Sequence, residues 1–279
     1  PARVVQPPTT VAAPVARNAR RFMPQSGYWT AKGLSVLEPY TERHKSTLGD
    51  GSDMQLRPRF VGRLGVADVV TVSNAVLGFA AAATATVDPG LAARLILLAS
   101  IADGLDGVLA RIYGSTQVGE VVDSLADVAS FGVAPAVFVY AIARREWSLD
   151  LASASATEVL AMAVPGLFVA AAVVRLGMYT AYDLEDRTTR GVQTTLAATV
   201  LAAAYLSGVT DAAVLLGTAG VFVYLMITSI EYPELAERDA LAMGTVQFGA
   251  VLAPLALSRI LPRALLVAAL AYLVLAPML

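Results

Sequence analysis

From residue 54 onward the chain alternates long apolar stretches with short polar breaks, and the stretches are long enough to cross a hydrocarbon core of about 30 Å as helices. The pattern predicts helices near 68–87, 91–113, 118–143, 156–181, 192–209, 212–230, 241–257 and 261–278. Turn-forming groups separate them: Asp88-Pro89-Gly90, Arg144 to Asp150, Asp183 to Arg190, Gly208 to Asp211, Glu231 to Asp239 and Arg259 to Arg263. Pro254 and the break at Ser258 to Leu261 also fit a re-entrant pair in place of the last two spans. The expected fold class is therefore all-α, a polytopic integral membrane helical bundle of eight spans.

Composition strengthens this reading. Hydrophobic residues make up 57% of the 279 and charged residues 15%, against about 25% charged in soluble domains. Aromatics contribute only 7%, so the apolar content is mainly Ala, Leu, Val and Gly, which pack helices closely in a bilayer. The absence of Cys excludes disulfides, Cys-ligated zinc, iron–sulfur clusters and thiol catalysis. A formal charge of -2 gives no basic surface for nucleic acid.

Residues 1–53 are of another kind. They are mostly polar, contain His44 and both lysines, and carry 7 basic minus 4 acidic residues, or +3, whereas 54–279 carries 13 minus 18, or -5, with Arg as the sole basic type. Gly51-Ser52-Asp53 before Met54 suits a tag or fusion remnant as well as a natural linker. The division expected is an atypical head at 1–53 and a membrane domain at 54–279. Arg57, Arg59 and Arg63 precede the first span, which by the positive-inside rule places that end in the cytoplasm; Arg144, Arg145, Arg259 and Arg263 on the other side weaken the signal. The stretch 55–65 suits a short amphipathic surface helix or an ordinary basic flank.

Four carboxylates interrupt two otherwise apolar helices: Asp103 and Asp106 in ADGLDGVLAR, Asp123 and Asp127 in GEVVDSLADVASFG. Ionisable groups in membrane helices are costly and face a partner or a wet cavity. Spacings of three and four place each pair on one helix face, and the short turn around Tyr113 to Gln117 lets the two faces meet. Convergent carboxylates repel unless cations lie between them, and oxygen ligands favour magnesium, manganese or calcium. A two-metal site able to bridge a diphosphate is one reading; an ion path of a transporter and a purely structural role are the others. Arg111 suits forked binding of a phosphate. Gly107 and Ala110 suit either close approach of a nucleotide or helix packing. With no His or Cys beyond Met54, a base must be a carboxylate, a Tyr or metal-bound water, and Asp127 is the favoured candidate.

Asp103-x-x-Asp106-Gly107-x-x-Ala110-Arg111 followed by Gly119-x-x-x-Asp123-x-x-x-Asp127 resembles the signature of the CDP-alcohol phosphotransferases, membrane enzymes that exchange the CMP of a CDP-alcohol for an acceptor alcohol. Seven residues separate Arg111 from Gly119 where the family usually has eight, which changes the turn and leaves both aspartate pairs intact. The stretch DSLADVASFGVAPA at 123–136 resembles the phosphatidylserine synthase branch, as do Arg175-Leu-Gly-Met-Tyr179, GVQTTLAA at 191–198 and Glu231-Tyr232-Pro233. Two departures loosen the assignment of the acceptor: Gly177 stands where the branch has a second Arg, and Gly191-Val192-Gln193 where it has Gly-Leu-Pro.

The resemblance implies a six-helix core at about 68–235 with two further helices at about 241–278. It implies that Asp103, Asp106, Asp123 and Asp127 hold two divalent cations, Mg2+ or Mn2+, with Ca2+ as a stand-in, and that Asp127, beside Asp123, takes the proton of the incoming hydroxyl. Thr71, Asn74, Asp106, Gly107, Ala110, Arg111 and Gly119 would form the CDP pocket, although Thr71 and Asn74 also suit polar glue between helices. Arg175, Arg187 and Arg190 are candidates for the serine carboxylate or the lipid phosphate, with ion pairing to Asp183, Glu185 or Asp186 as the alternative for the last two. The partners implied are CDP-diacylglycerol or CDP-archaeol, L-serine, the product CMP, membrane lipids and a second copy of the chain, at a cell membrane with the site facing the cytoplasm.

Overall fold

The structure, a computed structural model, describes residues 64–116, 118–150, 155–183, 188–233 and 237–278. The head at 1–53, the basic flank before the first span and Arg187 lie outside the described residues. Those described belong to one compact unit, Pro58–Leu279.

Nine α-helices among the described residues form eight rods. In order they are α1 (Val66–Thr84), α2 (Pro89–Tyr113), α3 (Gly119–Asp127), α4 (Ala134–Glu146), α5 (Ala156–Met178), α6 (Thr194–Ser207), α7 (Ala212–Met226), α8 (Glu237–Leu252) and α9 (Ile260–Leu275). A π-helical turn, Val128–Val133, joins α3 to α4 as one continuous rod, and a second, Tyr179–Asp183, extends α5. The rods starting at Val66, Gly119, Ala156 and Ala256 are long and apolar enough to cross a membrane. The chain is a polytopic membrane helical bundle.

The sidedness of α1 shows why. Asp68, Thr71, Asn74, Gly78 and Ala81 recur at helical spacing and are buried, while Val66, Val69, Val76 and Phe79 on the opposite side are exposed. A helix in water does the reverse; one in lipid turns its apolar side chains outward and keeps polar groups among its neighbours. Local chemistry sets the ends. Asp88 accepts a hydrogen bond from Leu91 N at 2.9 Å and Pro89 opens α2. Ser155 and Glu158 form a capping box on α5, Asp211 caps α7, and Gly208 closes α6 at φ +109.

Two differences from the sequence pattern concern the connections and one concerns a span. The segments after α5 and α7, expected as plain loops in an all-α chain, pair as an antiparallel ribbon of β1 (Thr188–Arg190) and β2 (Glu231–Pro233), with Thr189 opposite Tyr232. Its cause is a tight turn at Gly191, φ +74, whose N–H donates to Ile230 O at 2.8 Å. A Cβ there would lie 2.3 Å from Met226 O, so the position requires glycine. The seventh expected helix shifts: α8 ends at Leu252 and not near 257, because the residue before Pro254 is pushed out of the helical region. Leu257, Ser258 and Arg259 then turn the chain back with φ of 47, 57 and 65, and α9 returns as a separate helix.

Gly78 marks the closest approach in the core. A Cβ at this position of α1 would sit 2.6 Å from Ser130 Cα in the π turn, and backbone cannot move as a side-chain tip can. Gly78→Ala should therefore destabilise the fold by about 1–3 kcal/mol, read as a lower melting temperature in detergent, with Gly104→Ala, which meets nothing within 4 Å, as the neutral control.

Candidate active site

The aspartates converge at the end of the bundle where α1 starts and α2 finishes. Asp103 and Asp106 come from the last three turns of α2, Asp123 and Asp127 from α3. One carboxylate oxygen from each of Asp103, Asp106 and Asp123 lies within 4.8 Å of the others. Asp127 is also buried, against Asp103 on one side, and accepts a long hydrogen bond from Asn74 Nδ2 at 3.4 Å. The backbone carbonyl of Asn74 accepts from Ser130 Oγ at 2.8 Å, which ties this turn of α1 to the π turn. The π turn immediately after Asp127 brings Ser130 under α1, one of the common uses of such a turn at a functional site.

This cluster has the donor set of a hard-cation site. Asp106 Oδ2 and Asp123 Oδ1 are buried without a hydrogen-bond partner among the described residues, and a buried acceptor left unsatisfied is costly. Three ionised carboxylates within 4.8 Å would repel by roughly 3 kcal/mol per pair at an effective dielectric constant of about 20. A divalent cation relieves both costs at once.

The remaining expected residues divide into those at the cluster and those away from it. Thr71 lies within hydrogen-bonding reach of Asp106 and also donates to Ala67 O at 3.1 Å. Gly107 faces open space, with nothing within 4 Å of a Cβ built on it, so close helix packing does not account for it. Ala110 is half-buried one turn on, and Arg111 is exposed with Nε donating to Gly107 O at 3.2 Å. Arg175 is buried near Asp127 and stacks over the Tyr179 ring at 5.6 Å. Arg190 is not brought to the cluster: it lies on β1 with Nε 3.7 Å from Glu231 across the ribbon, both largely exposed. An ion pair so exposed contributes little to stability.

Three sets of polar contacts around the site were not anticipated. Asp68, buried at the start of α1, accepts from Gly65 N and from Thr116 Oγ1, each at 2.8 Å, and lies against Gly119, where a Cβ would come within 3.1 Å of its Oδ1. It thus staples the α2–α3 turn to α1, the same turn that is one residue shorter than the family norm. Thr195 on α6 reaches Asp103 Oδ2 at 3.4 Å. Ser124 pairs with Thr180 at 2.5 Å. Asp68 was visible in principle, standing three residues before Thr71 and six before Asn74 on one helical face.

Comparison with known proteins agrees with this geometry. Residues 64–275 match the family described as CDP-alcohol phosphatidyltransferase, and the chain belongs to that family. It is 32% identical to an archaetidylserine synthase of Methanothermobacter thermautotrophicus over 174 residues, 60% of this chain and 68% of the relative. It is also 57% identical over 54 residues to a CDP-diacylglycerol–serine O-phosphatidyltransferase of Mycobacterium leprae, 19% of this chain, and spans only 18% of that relative's length. The Saccharomyces cerevisiae protein of the same description is 41% identical over 88 residues, 28% of this chain and 32% of the relative.

Proposed function

We propose that the protein transfers the phosphatidyl or archaetidyl group of a CDP-linked lipid to the hydroxyl of L-serine, releasing CMP. The observation that carries this reading is the convergence of Asp103, Asp106 and Asp123 beside Asp127 in a membrane bundle of this family. The names of the relatives support serine as acceptor.

Asp103, Asp106 and Asp123, with Asp127 adjoining, would hold the divalent cations, two in number, as Mg2+ or Mn2+. When bound, such ions neutralise the diphosphate and stabilise the departing phosphate. The open face at Gly107, with Ala110, Thr71 and Asn74 around it, receives the cytidine nucleotide, and Arg111 pairs with its phosphate. Asp127, oriented by Asn74, takes the proton from the serine hydroxyl. The oxygen so freed attacks the lipid-side phosphorus, the bond from that phosphorus to the CMP oxygen breaks, and the lipid phosphate passes to serine. Arg175, buried beside Asp127, is placed to hold the carboxylate of serine or the lipid phosphate; Arg187 and Arg190 are the further candidates, and the Glu231 pairing makes Arg190 the weaker one. Burial of the cluster strengthens each of these electrostatic contacts relative to water.

In this reading α1 to α7 form the six-span catalytic core, α8 and α9 a two-helix extension, and residues 1–53 an appended head. The active end faces the cytoplasm, where serine and CMP are soluble, and two copies associate through their spans. The acceptor is tested by release of labelled CMP from CDP-diacylglycerol and CDP-archaeol across a panel of serine, inositol phosphate, glycerol phosphate and ethanolamine. Serine-dependent release is expected; release with another acceptor and not with serine overturns the assignment.

A further inference from the structure

A second polar site lies at the opposite end of the bundle. Asp103 sits about 20 Å along α2 from Pro89, at 1.5 Å per residue, and around the Pro89 end there is a cavity of 280 Å³ lined by Arg94, Tyr205, Thr210, Leu255 and Arg259 together with Asp88. Four separate elements build it: the start of α2, the end of α6, the turn before α7 and the left-handed turn between α8 and α9. It shares no residue with the aspartate cluster.

Its charge is the unusual feature. Arg94 and Arg259 are both half-buried, and among the described residues neither has a carboxylate within the 4.0 Å of an ion pair. Arg94 is aimed by one bond, Nε to Val251 O at 2.7 Å, which leaves its two terminal nitrogens free of that contact. Arg259 is carried into the cavity by the third of three consecutive left-handed residues and its guanidinium lies against Gly208, where a Cβ would be 2.8 Å from Nη1. Tyr205 lines the same cavity. Two guanidinium groups against one carboxylate at a membrane boundary call for an anion. The side chains beside them are apolar and outward-facing: Leu252, Leu255 and Leu257 are all strongly exposed.

We infer that this cavity binds the phosphodiester headgroup of an anionic phospholipid, with Arg94 and Arg259 forked on the phosphate, Tyr205 donating to it, and the acyl chains running along Leu252 and Leu255. Guanidinium suits the planar, two-pronged recognition of phosphate oxygens, and the adjoining leucines distinguish a lipid from a free anion. The ligand is structural or regulatory, since the cavity lies at the other end of α2, about 20 Å from the aspartates.

The test is retention of phosphatidylglycerol against phosphatidylcholine by the full chain released from mixed micelles, read by native mass spectrometry with CMP and Mn2+ present to occupy the other end. Wild type should retain phosphatidylglycerol preferentially, and Arg259→Gln and Arg94→Gln should each lose about tenfold of that preference, the scale of one or two charge-assisted hydrogen bonds. Arg259→Lys and Arg94→Lys, which keep the charge, report the site should a Gln variant fail to fold, and should fall between. Arg144→Gln removes an exposed charge from the same end and should change nothing; an equal loss there would reduce the preference to diffuse surface charge and overturn the site. Displacement of the lipid by millimolar inorganic phosphate would assign the cavity to free phosphate, and equal retention of both lipids by wild type would remove it.

Discussion

Asp127→Asn should reduce CMP release by about 10²–10⁴-fold, the usual contribution of a positioned general base, while the protein folds and still binds divalent cation. Asparagine keeps the shape and the contact with Asn74 Nδ2, since its carbonyl oxygen still accepts, but it cannot take the proton of the acceptor hydroxyl. The three carboxylates that cluster within 4.8 Å are Asp103, Asp106 and Asp123, so on the proposed roles the proton acceptor Asp127 is separable by mutation from the main cation-holding group. The checks are turnover and Mn2+ binding on the same preparation. Full turnover in the variant defeats the base assignment; loss of Mn2+ binding together with turnover makes Asp127 a cation ligand first. Asn74→Ala should follow in milder form, raising the freedom of Asp127 without removing it.

The helical rods and the aspartate pairs were legible because both depend on local spacing, although only four of the eight expected spans are long and apolar enough to cross a membrane, and Thr194–Ser207, Ala212–Met226 and Leu241–Leu252 are shorter. Membrane helices need about 20 apolar residues each, and i, i+3 and i, i+4 carboxylates share a face whatever surrounds them, so α2 and α3 could be read one helix at a time. What escaped depends on distant parts of the chain. The ribbon of β1 and β2 requires that the segments after α5 and α7 emerge side by side, and neither Thr188–Arg190 nor Glu231–Pro233 has the length or alternation of a strand. The π turn at Val128–Val133 reflects the fit of Ser130 under Gly78 of α1, a packing relation between helices that hydrophobic periodicity does not encode. Asp68 stands at the first position of the expected helix 68–87, where nothing local marks it, and its role rests on Thr116, 48 positions away. Arg190, whose neighbourhood in sequence suggested partners at Asp183, Glu185 or Asp186, pairs across the ribbon with Glu231, a residue 41 positions away that local spacing does not point to.

Asp106→Asn should separate function from stability with opposite signs. In the cation-free protein the variant removes one of three mutually repelling carboxylates, so it should melt at a higher temperature than wild type; the repulsion relieved is a few kcal/mol at most, roughly 3 per pair by Coulomb's law at a dielectric constant of about 20. On adding Mn2+ the order should reverse. Wild type gains stability by RT ln(1 + [L]/Kd), while the variant, with one charged ligand fewer, binds about 100-fold more weakly, within the span that ligand charge and rigidity confer on such sites. Turnover should fall to background, as it should for wild type in excess EDTA, and return only for wild type when Mn2+ is restored. A residue kept for packing behaves differently: its loss lowers the melting temperature with and without cation. The buried, unpartnered Asp106 Oδ2 is what sets the sign, because an acceptor already satisfied by the protein would leave nothing for a cation to complete.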